Sequence, residues 1–284
     1  DHRDLHSFPT RRSSDLIVLT IFLAIYQRVT GPTYPTSGKF ELDGTQYKYS
    51  LPRSSDGAEH TYVKLPINDP AVTAKVVWKR FKTNDELSEI NMTVNEDKLQ
   101  AELPKQPSAG KLVYEVKIRK GDKEIVIPEK EPVVIRFRDP VSPIIFIPHV
   151  IVIFLSMLLS TRTGLEYFSK EPKLKKLTQW TIGMLILGGF ILGPLMQYYA
   201  FGALWTGFPF GFDLTDNKTL IALIAWLIVY FRLGKSKNPK RLVLIGAIVM
   251  FVVFLIPHSV LGSELDYNKL DNSKVGSSGL PIEK

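Results

Sequence analysis

The chain has 284 residues, a formal net charge of +8 and no cysteine, and its pI is near 9.4. Its length allows about two domains of ordinary size. The absence of cysteine excludes disulfides, cysteine-ligated zinc, iron–sulfur clusters and a cysteine nucleophile. A strongly basic chain is a candidate nucleic-acid binder only if its lysines and arginines cluster on one face. The positions of the charged residues along the sequence therefore decide whether the net charge indicates nucleic-acid binding.

The N-terminal segment Asp1–Leu16 has the sequence DHRDLHSFPTRRSSDL, which matches, codon by codon, the translation of a common short-read sequencing adapter. The basic start of a signal peptide is the alternative interpretation. We interpret the segment as an adapter-derived artefact and exclude it from the predicted domains. Its arginines and aspartates are equal in number, so the net charge of +8 belongs to the rest of the chain.

The next segment, Ile17–Gln27, begins with a largely apolar run, IVLTIFLAIY. This run has about half of the roughly 20 residues that a membrane-spanning helix needs. We interpret it as the second half of a truncated transmembrane helix. The end of a signal-peptide core is the alternative, although no small-residue cleavage pattern follows the run.

Four further apolar segments lie in the C-terminal half and predict a transmembrane helical bundle. Buried helices of a soluble domain are the alternative, but four such segments in close succession favour a membrane protein. Ser142 followed by Pro143 is a typical start of the first helix. The third segment is short, so Lys218 and Arg232 would have to extend their charged ends toward the membrane surfaces. The predicted spans are about 143–160, 177–200, 219–232 and 242–261.

The charges of the connecting loops predict the orientation in the membrane. Loop 161–176 has five basic and two acidic residues, and loop 232–241 has five basic residues and no acidic one. Loop 201–218 and the tail 262–284 each have one more acidic than basic residue. Because basic loops are retained in the cytoplasm, we predict a bacterial inner-membrane protein. Its large N-terminal domain and its flexible C-terminal tail would be periplasmic.

The same basic loops argue against nucleic acid as a partner. The runs Lys173–Lys176 and Arg232–Arg241 contain no aromatic residue that could stack on bases. We expect these loops to contact anionic lipid headgroups instead. The lipid bilayer is therefore one predicted partner.

Residues 28–140 predict an all-β domain that precedes the helices. The segment has 19 basic and 17 acidic residues, and short runs of alternating apolar and polar residues are separated by turn signals such as Asp43-Gly44 and Gly121-Asp122. Many short strands at this spacing are typical of a β-sandwich. The predicted fold class is therefore an all-β sandwich followed by an α-helical transmembrane bundle.

Within this domain, the run Ala101–Pro107 leads through Gly110 into the alternating strand Leu112–Val116. With these features, residues 70–138 resemble bacterial immunoglobulin-like or fibronectin type III-like exported domains. The chain as a whole resembles an uncharacterised family of Gram-negative inner-membrane proteins. The resemblance implies an immunoglobulin-like sandwich and carries no activity with it.

Two tripeptides, Ile147-Pro148-His149 and Ile256-Pro257-His258, begin and end the membrane region. Ionisable groups at membrane depth are candidate functional residues, and two histidines on one face could ligate a metal or a b-type haem or relay protons. The alternative is that each imidazole binds a backbone carbonyl freed by the neighbouring proline. The candidate pocket on this face also includes Trp205, Asp213, Asp216, Glu264 and Asp266.

The predicted outer loop FGALWTGFPFGFDLTDNK is unusually apolar, with Trp205, Phe208, Phe210 and Phe212. An aromatic belt at the membrane interface is one interpretation. A re-entrant or lid segment over a pocket beside His149 and His258 is the other. The glycines of the loop would permit tight backbone turns in either case.

The sequence contains no P-loop, GxGxxG, HExxH or GxSxG motif, so nothing in it indicates an enzyme. We predict a membrane protein that presents a periplasmic immunoglobulin-like domain for binding, scaffolding or assembly with a protein partner in the membrane or periplasm. A redox or metal protein that uses His149 and His258 is the first alternative. A small permease subunit is the second, although ionisable groups near the predicted midplane are few.

Overall fold

The computed structural model describes residues 7–57, 60–262 and 264–271, with side chains from residue 14 onward. The chain divides into two compact units. The helical unit comprises Asp1–Pro32 and Val141–Gly262, and the β unit comprises Thr33–Pro140 and Ser263–Lys284. The predicted order, a β-rich region followed by helices, is confirmed. The described part of the predicted flexible tail differs from the expectation, because residues 264–271 pack in the β unit.

The helical unit is built from α-helices with two irregular turns. A 3₁₀ turn, Leu165–Phe168, follows α2, and a π-helical turn, Leu187–Leu192, joins α3 to α4. The first helix covers the predicted segment 17–27 and begins within the segment that we interpret as adapter-derived. The α-helices are α1 (Ser7–Thr30), α2 (Pro143–Gly164), α3 (Leu174–Ile186), α4 (Gly193–Phe201), α5 (Leu214–Arg232) and α6 (Pro239–Leu255).

Three helices of the described chain are long and apolar enough to cross a membrane: Pro143–Phe168, Leu174–Phe201 and Leu214–Arg232. They contain the first three of the four C-terminal spans that the sequence predicts. The last one, α6, has 17 residues and therefore rises about 25 Å, less than the roughly 30 Å of a bilayer's hydrocarbon core. Spans at α1 and α6 remain predictions.

The helices pack around a core that is separate from that of the β unit. Helix α2 packs against α3 and α6, and α5 packs against the same two helices. Trp226 is fully buried at the centre, and its Nε1–H donates to Met250 Sδ at 3.2 Å. The opposite faces expose large apolar side chains, as a lipid-facing surface requires. These exposed residues include Ile151, Ile191, Ile224, Phe231 and Ile245.

The π-helical turn lies where the sequence has Gly188, Gly189 and Pro194. A proline cannot donate a backbone hydrogen bond and crowds the preceding turn, and the wider π turn accommodates it. The glycines let neighbouring helices approach closely: a Cβ on Gly188 would lie 3.0 Å from Ile153 N, and one on Gly189 would lie 2.6 Å from Thr219 Cγ2. Such small residues at a helix interface are typical of close helix packing in membranes.

The β unit contains three sheets among its described residues. The strands are β1 (Thr36–Leu42), β2 (Thr45–Leu51), β3 (Ser54–Ser55), β4 (Thr61–Leu65), β5 (Val72–Arg80), β6 (Ser88–Asn91), β7 (Thr93–Asn95), β8 (Lys98–Leu103), β9 (Lys111–Lys120), β10 (Lys123–Ile127) and β11 (Val133–Phe137). In the largest sheet the strand order is β3-β11-β9-β5-β6, with β10 paired to β9, and the smaller sheets are β4-β8-β7 and β1-β2.

Strands from all three sheets contribute to one core. Strand β9 shows the period-two pattern most clearly, since Leu112, Tyr114, Val116 and Ile118 are all buried. The Tyr114 hydroxyl donates to Pro52 O at 2.8 Å, so its polar atom is satisfied inside the core. Each such side chain contributes on the order of 1.5–3 kcal/mol through burial.

Candidate functional site

The loop between α4 and α5, residues 202–213, is held on the first turn of α5. Asp216 Oδ2 accepts from Thr206 N–H at 2.7 Å and from Gly207 N–H at 3.0 Å. Asn217 Oδ1 accepts from Phe208 N–H at 2.7 Å. Asp213 caps the helix by accepting from Thr215 N–H at 2.8 Å. We call residues 202–213 the aromatic loop.

Glycines let the aromatic loop fold this tightly, as the sequence predicts. A Cβ on Gly207 would lie 2.6 Å from Asp216 Cβ, and one on Gly211 would lie 2.4 Å from Thr206 O. Gly202 ends α4 with a φ of +76°, a conformation that glycine adopts without strain.

The aromatic side chains of this loop have two different environments. Trp205 stacks on Phe190 with ring centroids 5.5 Å apart, and its Nε1–H donates to Phe208 O at 3.1 Å. Phe208, Phe210 and Phe212 are 66%, 82% and 92% exposed. Three exposed phenyl rings on a loop between two apolar helices fit an interfacial aromatic belt. They are not packed over a pocket, as a closed lid would be.

His149 is held by the neighbouring helix. Its Nδ1 lies 3.0 Å from Gly188 O, a carbonyl of the π-helical turn. A hydrogen bond from the imidazole to a backbone carbonyl is the alternative to a metal site that we considered for this histidine. The carbonyl belongs to another helix and is not freed by Pro148.

His258 follows α6 in a segment that packs near the start of α5, where Ser259 N–H donates to Thr215 Oγ1 at 3.2 Å. Within the described parts of the chain, no three side chains of the His, Asp and Glu type gather as a metal site would require. No third side chain of this kind therefore supports a metal site at His149 and His258 in the described residues, and a haem site, which needs only two axial ligands, remains a prediction.

The side chain of Lys218 binds the end of a neighbouring helix. Its side chain is buried, and Nζ donates to Ile256 O at 2.7 Å, just after the end of α6. The last carbonyls of a helix have no intrahelical donor, and Pro257 cannot continue the helix. A lysine there satisfies one carbonyl and places a positive charge at the negative end of the helix dipole.

Glu264 and Asp266, which the sequence places in the same candidate pocket, lie in the β unit. Glu264 forms ion pairs with Lys111 at 2.6 Å and Lys82 at 2.7 Å. Asp266 Oδ1 accepts from the N–H groups of Asn268 and Lys269 at 3.1 and 3.2 Å, which caps the helical turn at residues 267–271. Both carboxylates are thus engaged with residues of the β unit, a role that the sequence analysis did not predict.

A small open pocket of about 170 Å³ lies elsewhere on the β unit. Its walls include a hydrogen-bonded pair, His60 and Glu102, whose imidazole Nδ1 and carboxylate Oε1 are in contact. Neither residue was singled out from the sequence, because their proximity depends on the pairing of β4 with β8. The lining residues are Ser55, Gly57, His60, Thr61, Glu102, Leu103, Lys105 and Phe137.

No known protein family, curated protein or solved structure matches this chain. The resemblance to immunoglobulin-like exported domains and to an inner-membrane family is therefore carried by the sequence features alone.

Proposed function

We propose that this protein is a membrane-anchored binding or scaffolding protein that presents its β unit on the periplasmic side of a bacterial inner membrane. The helical unit would supply the anchor, and the β unit would supply the surface that a protein partner recognises. An immunoglobulin-like or fibronectin type III-like architecture of the β unit is part of this proposal. So is the orientation that the basic loops indicate.

The observation that supports the proposal best is that each unit has a core of its own. The helical unit exposes apolar side chains along its helices, whereas the β unit buries residues such as Leu51, Val63 and Ile135 completely. The sequence of the β region has nearly balanced charge. A domain with a complete core and a charged surface is suited to water and not to the hydrocarbon of a bilayer, where its surface would be accessible to other proteins.

Photo-crosslinking of the intact protein in cells tests this proposal. A photoreactive amino acid is placed at the exposed positions Leu87 and Val94 of the β unit, and at the exposed position Ile245 of α6 as a control. We expect a protein adduct of constant size from a β-unit position and lipid adducts from position 245. Lipid adducts at 245 without any protein adduct from the β unit would contradict the proposal.

A further inference from the structure

We infer that a basic face of the β unit, formed by Arg80, Lys82, Gln106 and Lys111, is a peptide-recognition site that takes an acidic, tyrosine-containing segment of a partner protein. The chain's own residues 264–271 occupy this site in the structure. We call these residues the latch and the face that holds them the latch site. The inference rests on the proposed binding function and names the chemistry of its partner.

The latch is held through its backbone and through one buried side chain. Leu265 N–H donates to Ala109 O at 3.1 Å, which fixes the segment on the turn before β9. Tyr267 is only 4% exposed. Lys111 N–H donates to the Tyr267 hydroxyl at 3.0 Å, and that hydroxyl has Gln106 Oε1 at 3.0 Å and Lys111 O at 3.1 Å as acceptors.

The tyrosine pocket is specific in shape. The guanidinium carbon of Arg80 lies 4.9 Å from the centre of the Tyr267 ring, in cation–π geometry. Gly110 forms the floor of the pocket, because a Cβ at this position would lie 2.7 Å from the Tyr267 hydroxyl oxygen. A phenol fits this site and satisfies its polar atoms, whereas a phenyl ring would take the hydroxyl partner away from Gln106 Oε1 and Lys111 N–H.

Carboxylates flank the tyrosine on both sides. Glu264 bridges Lys82 and Lys111, and Asp271 pairs with Arg80 at 2.8 Å. Asp85 accepts from Arg80 at 2.6 and 2.9 Å and so fixes the direction of its guanidinium. The spacing of these groups defines the ligand as Glu-x-x-Tyr-x-x-x-Asp, read from residues 264–271.

Lys111 pairs with a carboxylate of the latch. Its side chain is 16% exposed, and burial lowers its pKa, an effect that the pairing with Glu264 opposes. An ammonium group in such a place is costly unless a carboxylate pairs with it. A partner segment with a carboxylate at the position of Glu264 would reproduce this ion pair with Lys111.

The latch is held by hydrogen bonds, by ion pairs and by the ring of Tyr267, and an equivalent segment of another protein could make the same contacts. The covalent connection gives the latch an effective concentration of the order of millimolar. A free peptide therefore competes poorly with the latch in the unaltered protein, and variants that release the latch reveal the intrinsic affinity of the site.

Fluorescence anisotropy on the full chain in mild detergent tests the inference. The probe is a fluorescein-labelled peptide with the sequence of residues 262–271, GSELDYNKLD. We expect Tyr267→Ala to bind it at least about tenfold more tightly than the unaltered protein, because the competing latch is weakened. Glu264→Gln, which removes one ionic contact and keeps the ring, should give a smaller gain in the same direction.

Controls separate recognition from unfolding. In the Tyr267→Ala background, Lys111→Met should weaken peptide binding about tenfold through loss of a charge-assisted pair, while Lys98→Met on the exposed face of β8 should not. Folded Tyr267→Ala and Glu264→Gln proteins that bind no better than the unaltered chain would overturn the inference. So would an unaltered protein that dimerises by exchanging its latch, since the occupant would then be a second copy.

The experiments distinguish a failure of the latch-site proposal from a failure of the proposed binding function. If the peptide does not bind but photo-crosslinks from Leu87 or Val94 still reach a protein, the latch site is wrong and the binding function stands.

Discussion

At the residue scale, the start of α5 shows how polar groups are accommodated beside apolar helices. Asp213 caps the helix, Asp216 holds the aromatic loop, and Lys218 turns inward to the end of α6. Each side chain satisfies backbone groups that would otherwise be buried without partners. This arrangement explains why α5 begins at Leu214, earlier than the predicted start near residue 219.

Asp216→Ala should loosen the aromatic loop. The N–H groups of Thr206 and Gly207 lose their acceptor, at a cost of about 1–3 kcal/mol for a buried donor. We expect amide hydrogen exchange at these two residues to accelerate about tenfold, measured by mass spectrometry in detergent. Asp216→Asn keeps an oxygen acceptor and should remain close to the unaltered protein. Equal protection in Asp216→Ala would show that other contacts hold the loop.

Docking of the latch should weaken in acid. Burial raises the pKa of Glu264, but hydrogen bonds from Lys111 and Lys82 lower it more, so the net shift is downward. A carboxyl with a lowered pKa stabilises the docked state above its free value of about 4.3, and this stabilisation is lost as the pH falls through the lowered value. Protection of the Leu265 amide, corrected for intrinsic exchange, should fall over this range. Glu264→Gln should lack this pH dependence of the Leu265 protection. A Glu264→Gln protein whose protection falls with pH as it does in the unaltered protein would contradict the role of Glu264.

At the scale of the elements, the glycines of the α3–α4 helix have opposite roles. A Cβ on Gly188 would lie 3.0 Å from Ile153 N, which is backbone and cannot move aside, whereas nothing lies within 4 Å of a Cβ on Gly183. The π-helical turn at 187–192 brings the chain to this close approach.

Gly188→Ala and Gly183→Ala should therefore change stability in opposite directions. Forced separation of packed helices costs about 1–3 kcal/mol, while alanine in place of an open helical glycine gains up to about 1 kcal/mol. Thermal unfolding in one detergent measures both variants. A Gly188→Ala protein as stable as Gly183→Ala would mean that α2 and the π-helical turn are not tightly packed.

The elements that the sequence predicts well are those with a local signal. Apolar runs locate α2 to α5, and alternation locates β5 and β9, because burial on one face imposes a period along the chain. The latch has no such signal: Tyr267 and Lys111 meet across 156 residues. The sequence does not predict the hydrogen-bond acceptor of Lys218 for the same reason, since Ile256 O is brought to it only by the packing of α5 against α6.

At the scale of the whole molecule, the absence of cysteine makes the proposed orientation directly measurable. A single cysteine at Ser88 of β6 should react with a membrane-impermeant maleimide in cells with a permeabilised outer membrane. A single cysteine at Lys237, in the basic loop after α5, should react only after the inner membrane is opened. Both positions are exposed. Reaction of the cysteine at position 237 with the inner membrane intact would show that the orientation is the opposite of the proposed one.

The position of the latch in the chain also has a consequence for biogenesis. About 120 residues separate Pro140, where the β region ends, from Glu264, and a ribosome needs roughly 6–25 s to add them at typical rates of synthesis. Arg80, Lys82 and Lys111 are thus complete well before the segment that neutralises them exists. During this interval the nascent protein would present the basic face without its latch, and the acidic partner that we propose could bind there before the competing segment has been made.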